Sequence, residues 1–461
     1  MVLAGLNMKH VRFIDLFAGM GGFRLGFEQA AKKLGVQADC VFSSEIKPHA
    51  LEVYSKNFHE SFIHGDITQI DAKDIPDFDV LLAGFPCQAF SSAGKRQGFS
   101  ETRGTLFFDV ERILKEKKPN FFILENVDAL VTHERKNASD PTGETLRIIL
   151  ETLKNLGYHT NWRIFDAKEY GLAQSRKRVF IVGSKIQTVS FEGFKKKKVL
   201  LADIFEKNKP LMTGEFVDLL LSRFSVEQLH GKSIKDKRGG SNNIHSWDLA
   251  LKGEVSSDQK QLLETVMRAR RRKIWAEQKG IKWMDGMPLT LKEIQTFYDH
   301  PKIQTMLDDL VEKGYVRYEH PKDQVRIIND SGKEVIVRQP RTDVEKGYNI
   351  VAGKLSFELN KILDPKSVAP TLVATDLDRV AVPDGAGIRL LTEVEQKRLF
   401  GFPDDFQLGI KPRDAFDLFG NTVPIPVVRM VSERVLTAFF SGHATVKETA
   451  PFCLGSQLQL C

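Results

Sequence analysis

From Val11 to about Gly183 the chain alternates apolar runs of strand length with segments of helical period, and this alternation restricts the fold more than any other feature. Strands separated by helices do not pair as hairpins; each helix returns the chain across the sheet, so the strands run parallel under helices on both faces. Strands are predicted at 11–17, 38–44, 79–84, 119–125, 158–165 and 178–183. Phe23, Phe27, Ala30, Ala31 and Leu34 share one helical face after the first strand, and Leu106, Val110, Ile113 and Leu114 share another before the fourth. The expected class is α/β, a doubly wound Rossmann-like sheet. At 461 residues the chain exceeds one ordinary core, so a second domain is expected.

The texture changes after Ser184. Lys195 to Lys198 form a basic run, polar residues and glycines gather around Gly239-Gly240-Ser-Asn-Asn243, and the alternation lapses, which puts a boundary near residue 190. Regular patterning resumes at Leu390-Leu-Thr-Glu-Val-Glu395 and ends in an apolar helix from Ile425 to about Phe440. The formal charge of +7 and pI near 9.0 make a polyanion a suitable partner. Cys40, Cys87, Cys453 and Cys461 show no Cys-x-x-Cys spacing, so neither a zinc site nor a disulfide framework is expected, and no bound metal. With no basic-then-apolar leader and no bilayer-length apolar run, the expected location is the cytoplasm, with no membrane contact.

Open α/β sheets bind ligands beyond the carboxyl ends of their strands, and here those ends carry chemistry. Pro86-Cys87-Gln88 follows the run Asp79–Phe85, and Glu125-Asn126-Val127 ends the run Phe121–Leu124. A thiolate and a carboxylic acid converging on one flat, electron-poor ring suit attack at carbon 6 of a pyrimidine. The acid protonates or hydrogen-bonds ring nitrogen 3, and carbon 5 becomes nucleophilic enough to accept a methyl group. The first strand runs into Phe17-Ala-Gly-Met-Gly-Gly22, a turn that permits close backbone approach to a ligand. Arg24 stands where a dinucleotide site wants a third glycine, which favours an uncharged or zwitterionic ligand over a pyrophosphate. Glu45, ending the second strand, could accept from both hydroxyls of a ribose, and Asp66 from an adenine amino group.

Six short stretches then resemble, in order, the motifs of the cytosine-5 DNA methyltransferase family, prokaryotic restriction-modification type. They are Asp15-Leu-Phe-Ala-Gly-Met-Gly-Gly22, Gly84-Phe-Pro-Cys-Gln88, Glu125-Asn-Val127, Gln174-Ser-Arg-Lys-Arg178, Ile388-Arg-Leu-Leu-Thr-x-x-Glu395 and Gly420-Asn-Thr-Val423. The resemblance implies that Cys87 is the nucleophile and that Glu125 grips ring nitrogen 3 and the amino group. It further implies that Arg178 holds the ring carbonyl oxygen with Arg176 beside it. For the cofactor, S-adenosylmethionine, it implies Phe17 stacked on adenine, Glu45 on the ribose and Asp66 on the adenine, with Gly19, Gly22, Ile46, Ile67, Leu106, Asn421 and Val423 lining the pocket. A stacked cytosine hides carbon 6, so the base must be flipped out; Gly94, Gly98 and Gly104, with Lys95, Arg96 and Arg103, suit the loop 91–104 to closing over DNA.

The implied organisation is a catalytic domain over 1–190 completed by 410–441, an inserted smaller target-recognition domain over 191–386, a hinge and closing motif over 387–409, and a tail over 442–461. Within the recognition stretch Arg268-Ala-Arg-Arg-Arg-Lys273 with Trp275, Lys282 and Trp283 interleaves charge and aromatics as a DNA surface would. Helices at 289–298 and 302–313 followed by strands at 314–318 and 325–337, turning at Asp330-Ser-Gly332, resemble a winged helix. The expected function is methylation of carbon 5 of a cytosine in a specific double-stranded DNA sequence, by a monomer in the cytoplasm that is nucleoid-associated when bound to DNA. The absence of a long N-terminal regulatory region favours a compact prokaryotic enzyme paired with a restriction endonuclease. The rivals are a tRNA cytosine-5 methyltransferase, disfavoured by the long insert; a noncatalytic DNA-binding regulator, disfavoured by Cys87 and Glu125; and a nicotinamide oxidoreductase, disfavoured by Arg24.

Overall fold

In the computed structural model the described residues are 9–59, 63–86, 106–137, 139–236, 240, 242–282, 286–329, 334–351 and 357–441. Cys87, the loop 91–104, Trp283 and the turn at 330–332 lie outside them. The chain divides into two compact units: one from Met1–Glu206, Pro365–Asp378 and Leu391–Cys461, the other from Lys207–Asp364 and Arg379–Leu390. Residues 191–206 thus belong with the first unit, where Phe191 is buried in its core and the amides of Leu201 and Ala202 donate to the carbonyls of Ser367 and Pro365.

The first unit is built on six strands, β1 (Lys9–Leu16), β2 (Val36–Ser44), β3 (Val80–Gly84), β4 (Phe121–Val127), β5 (His159–Asp166) and β6 (Lys177–Ser184), in the spatial order β2-β1-β3-β4-β6-β5. β1 pairs in parallel with β2 and β3, and β3 with β4, whereas β6 runs antiparallel between β4 and β5. The strand order turns back at β1, whose neighbours are the next two strands in sequence, so its carboxyl end and that of β3 border the switch point where such sheets take ligands.

Period-two alternation explains the layers. Val80, Leu82, Phe121 and Ile123 face one core, shared with α1 (Gly22–Lys33) and the last helix; Leu81, Ala83, Phe122 and Leu124 face the other, shared with α3 (Leu106–Lys117) and α4 (Glu144–Asn155). The remaining helices of the unit are α2 (Pro48–Phe58), α5 (Glu393–Phe400), α6 (Pro412–Asn421) and α7 (Ile425–Phe440). The C-terminal α7 packs Val427, Val428, Val431, Val435 and Leu436 into the core of the first strands. Its approach to α1 depends on Gly26, where a Cβ would sit 2.6 Å from Val428 Cγ1.

The second unit has two cores. One gathers Val217, Leu220, Ile234, Ile244, Leu359, Ile362 and Ile388 about a five-stranded sheet formed by Gly387–Leu390, Val380–Asp384, Lys361–Ile362, Ser233–Ile234 and Asn243–Ile244. The other packs helices Ser257–Ala269, Lys273–Gln278, Leu291–Gln295 and Ile303–Glu312 against the antiparallel pair Val316–Glu319 and Gly347–Ile350. A separate two-stranded ribbon, Lys322–Ile328 with Glu334–Pro340, follows. The expected basic surface at 268–273 is only partly a surface. Arg270 is buried with Nη1 on Asn349 Oδ1 and the Ile350 carbonyl, and Trp275 is buried with Nε1 donating to the Ala269 carbonyl. Arg268, Arg272 and Lys273 remain exposed.

Candidate active site

Backbone register assembles the site. Ser44, Leu16, Ala83 and Leu124 are successive partners across four adjacent strands. The next residue on each strand is Glu45, Phe17, Gly84 and Glu125, so the residues that the motifs single out form one row along the carboxyl edge of the sheet. Cys87 follows Gly84 by three positions, and Pro86, exposed, is the last described residue before it.

At one end of the row, Glu125 is buried and its Oε1 lies 2.9 Å from Arg178 Nε. β4 and β6 run antiparallel with Val127 opposite Arg178 and Glu125 opposite Phe180, so residues two apart on β6 reach the same face. Burial pushes the Glu125 carboxyl above its ordinary range, while the charges of Arg178 and Arg176 pull against it. A carboxyl so placed holds a proton more readily than one in water, as a donor to a ring nitrogen must. Gly84 leaves room beside it, since a Cβ there would stand 3.4 Å from Glu125 Oε2. Asn126, which no sequence signal separates from its motif, is buried and donates through Nδ2 to the Phe85 carbonyl at 2.9 Å, tying β4 to the segment that leads into Cys87.

Arg176 takes a different position. Its guanidinium is wholly buried and donates to the carbonyls of Thr422 (3.1 Å from Nε, 2.6 Å from Nη2), Gly420 (2.8 Å) and Leu372 (3.4 Å). Burial and the neighbouring Arg178 bring its pKa down to about 9, which leaves it cationic at neutral pH. Its partners include two carbonyls of the Gly420–Val423 motif, so it fastens that motif to the start of β6. The motif in turn meets the turn after β1: a Cβ on Gly22 would be 2.7 Å from Thr422 Oγ1 and 3.2 Å from Val423 Cγ2.

At the other end of the row, β1 runs into a strained turn. Phe17 has φ +57°, a left-handed conformation that a bulky residue seldom adopts, and Gly19 and Gly21 follow at +55° and +85°. Among the described residues a Cβ on Gly19 would meet nothing within 4 Å, whereas one on Gly21 would lie 2.1 Å from the Phe58 ring. Glu45 holds the turn: Oε2 accepts from the Gly19 amide at 2.7 Å, and Oε1 from the amides of Ile46 and Lys47, each at 2.8 Å. A carboxylate has about four acceptor sites, so Oε2 keeps capacity for a hydroxyl.

Beside Glu45, Ile46 is 67% exposed, an apolar side chain open to whatever occupies the turn. Asp66 is exposed with Oδ1 capping the Thr68 amide at 2.9 Å. Leu106 is half-buried at the start of α3, and Asn421 is exposed at the end of α6 with Nδ2 on Asp417. Ile67 is buried in the apolar layer with α3, so only its backbone is available. Arg24, at the third-glycine position, turns away into the space between α1 and α2. Its Nε donates to Glu28 at 2.7 Å and its guanidinium lies 4.5 Å over the Phe58 ring. Among the described residues no group of three or more His, Cys, Asp or Glu could hold a metal, and no helix is long and apolar enough to cross a membrane.

A four-strand parallel run closed by an antiparallel hairpin edge, with the site along its carboxyl end, is a Rossmann-like methyltransferase fold. A solved structure described as a proposed DNA modification methyltransferase encoded within an E. coli prophage shares it. The TM-score is 0.50 at 20% identity, covering 93% of this chain and 99% of that one. The chain belongs to the C-5 cytosine-specific DNA methylase family, whose profile it matches over residues 11–437. It is 54% identical over 434 residues to the Type II methyltransferase M.NlaIV of Neisseria lactamica and 53% identical over 434 residues to M.NgoBV of Neisseria gonorrhoeae. Each alignment covers 93% of this chain and 99% of the relative. It is 40% identical to M.HgiCI of Herpetosiphon aurantiacus over 91% of this chain and 96% of that one. The protein is thus an enzyme that methylates cytosine in DNA at carbon 5, and the RNA-directed, noncatalytic and oxidoreductase alternatives give way to it.

Proposed function

We propose that the enzyme uses S-adenosylmethionine to methylate a flipped-out cytosine within one specific duplex sequence, and that it is the modification partner of a cognate restriction endonuclease in a bacterial cytoplasm. The observation that carries the site assignment is the row Glu45, Phe17, Gly84 and Glu125, with Arg178 2.9 Å from the Glu125 carboxylate. The close relatives are named as Type II methyltransferases, which supports the pairing with an endonuclease. A catalytic unit over the described parts of 1–206 and 391–441 with a recognition unit inserted between them is part of this reading.

The residues at the first turn fit the proposed methyl donor. The open space at Gly19, the exposed face of Ile46, the strained Phe17 and the remaining acceptor capacity of Glu45 suit an adenine and a ribose without a pyrophosphate. S-adenosylmethionine supplies an electrophilic methyl group when bound. Glu45 would orient it through the ribose hydroxyls, Asp66 through the adenine amino group, and Phe17, Ile46, Leu106 and Val423 would enclose it, with Gly22 and Asn421 completing the wall.

At the other end Cys87, as thiolate, forms the bond from Sγ to carbon 6. Glu125 holds a proton at ring nitrogen 3 and so takes up the negative charge that the addition pushes into the ring. Arg178 keeps Glu125 oriented and would donate to the ring carbonyl oxygen. Carbon 5, made enamine-like, would take the methyl group as the donor's carbon–sulfur bond breaks and its electron pair leaves on the sulfur as a neutral thioether; loss of the carbon-5 proton to water then re-forms the ring double bond, expels the Cys87 thiolate and returns the nitrogen-3 proton to Glu125. Arg176 acts by position, holding the Gly420–Val423 motif against the turn at Gly22.

Bisulfite sequencing of unmethylated plasmid incubated with the purified protein and S-adenosylmethionine tests this reading. Protection of one recurring sequence is the expected result, and protection of none, with the donor bound, would overturn it.

A further inference from the structure

The ribbon Lys322–Ile328 with Glu334–Pro340 forms a two-stranded sheet of its own. Such a ribbon is marginal in water unless something covers it, yet Ile328 is 75% and Ile336 61% exposed. Directly opposed residues share a face. The register pairs Lys322 with Pro340, Gln324 with Arg338, Arg326 with Ile336 and Ile328 with Glu334. One face therefore carries Lys322, Arg326 and Arg338 against the single acid Glu334. The reverse face, Asp323, Val325 and Ile327 opposite Gln339, Val337 and Val335, carries no cation.

The occupant that suits the first face is DNA, on charge and on shape. A major groove roughly 12 Å wide admits a two-stranded ribbon, and its base edges are read by a small set of side chains: arginine to guanine, glutamine to adenine, and apolar groups to the thymine methyl. Gln324 and Arg338, opposite one another and both exposed, supply the first two, and Ile328 and Ile336 the third. Arg326 Nη1 lies 3.2 Å from Glu334 Oε1 with both side chains more than half exposed, a pairing that contributes little in water and is readily exchanged for a base.

We propose that this ribbon enters the major groove of the substrate duplex with its cationic face toward the bases, and that Gln324, Arg326 and Arg338 determine which sequence is methylated. The proposal rests on the sequence-specific reading above and names the residues that would deliver it.

The test compares full-length wild type with Gln324→Ala, Arg338→Ala and Arg338→Lys. A plasmid library randomised around the wild-type site is methylated, and the rate at each sequence context is read by bisulfite sequencing; thermal melting confirms folding. Loss of a bidentate base contact lowers discrimination roughly 10- to 100-fold, so each alanine variant is expected to relax preference at one or two positions by about that factor. Arg338→Lys should fail to restore it, because an ammonium lacks the planar fork. Two results would overturn the assignment while leaving the reaction intact: an unchanged context profile, which together with loss of a dimer on size exclusion would make the ribbon a self-association surface, or a uniform loss across contexts that lysine restores. A folded wild type that methylates no DNA overturns the reaction, and this inference with it.

Discussion

Arg176 offers the sharpest test of how the site is held. Arg176→Met keeps the length and apolar stem but removes the donors that reach the carbonyls of Thr422, Gly420 and Leu372. A hydrogen bond to a charged group contributes roughly 1.5–3 kcal/mol, and a buried carbonyl left without a donor costs about 1–3 kcal/mol. The 3.4 Å bond to Leu372 counts least, and removing a fully desolvated cation returns part of the loss. The net destabilisation expected is about 3–5 kcal/mol, in line with breaking a buried charged network. A unit of this size loses roughly 2–4 °C of melting temperature per kcal/mol, so calorimetry should show a fall of about 6–20 °C. Because the freed carbonyls belong to the motif that abuts Gly22, the KM for the methyl donor should rise as well, and Arg176→Lys should recover part of both. A variant that melts within about 2 °C of wild type and keeps its kinetics would refute the reasoning.

Further outcomes follow from other contacts. Glu125 has its folded pKa raised above 4.5 by burial and restrained by Arg178, so its stabilising contribution is full below pH 4.5 and is lost as pH rises through the folded value. Arg178→Met removes the restraint and raises that pKa further. The stability deficit of the variant should therefore grow as pH rises above about 4.5, and a deficit that does not change with pH in calorimetry would contradict the assignment. Gly26→Ala places a methyl group 2.6 Å from Val428 and should cost about 1–3 kcal/mol by chemical denaturation, a loss that adding Val428→Ala partly reverses. Absence of that rescue would locate the strain elsewhere. Asn126→Ala frees the Phe85 carbonyl and should lower kcat more than it raises the KM for DNA; the opposite split would show that Asn126 serves binding. Glu45→Ala should weaken methyl-donor binding in calorimetric titration, and an unchanged isotherm would remove Glu45 from that site.

The six strands were legible to within two or three residues because β3 and β4 are buried on both faces and write themselves as unbroken apolar runs. The row of candidate residues was legible for the same reason, since Glu45, Phe17, Gly84 and Glu125 each stand at or just past the end of an expected strand. Partnership was harder to read. Glu125 and Arg178 are 53 positions apart, and only the antiparallel register of β4 and β6 brings them together. Arg176 and Arg178 look alike in sequence, but Arg178 stands on β6 opposite Val127 and meets the carboxylate, whereas Arg176 precedes the strand, its amide held by Asp166 and its guanidinium on the backbone of the Gly420–Val423 motif. Trp275 read as part of a DNA surface, yet it is buried with its indole N–H on the Ala269 carbonyl, and Arg24, read as a residue of the ligand turn, is drawn instead to Glu28 and the Phe58 ring. The ribbon at 322–340 was visible as strands; what could not be seen was that, among the described residues, nothing covers Ile328 and Ile336.

The central claim is that Cys87 adds to carbon 6 of cytosine, and trapping the adduct tests it most directly. A duplex carrying the wild-type recognition sequence, with fluorine at carbon 5 of the target cytosine, has no proton there to lose, so the enzyme cannot expel its thiolate after methyl transfer. Mass spectrometry of wild type incubated with this duplex and S-adenosylmethionine should show a covalent protein–DNA species whose linkage maps to Cys87, and Cys87→Ala, folded and still binding the donor, should form none. A wild type that methylates the unsubstituted duplex yet forms no adduct with the fluorinated one, or an adduct that persists in Cys87→Ala, would contradict the account.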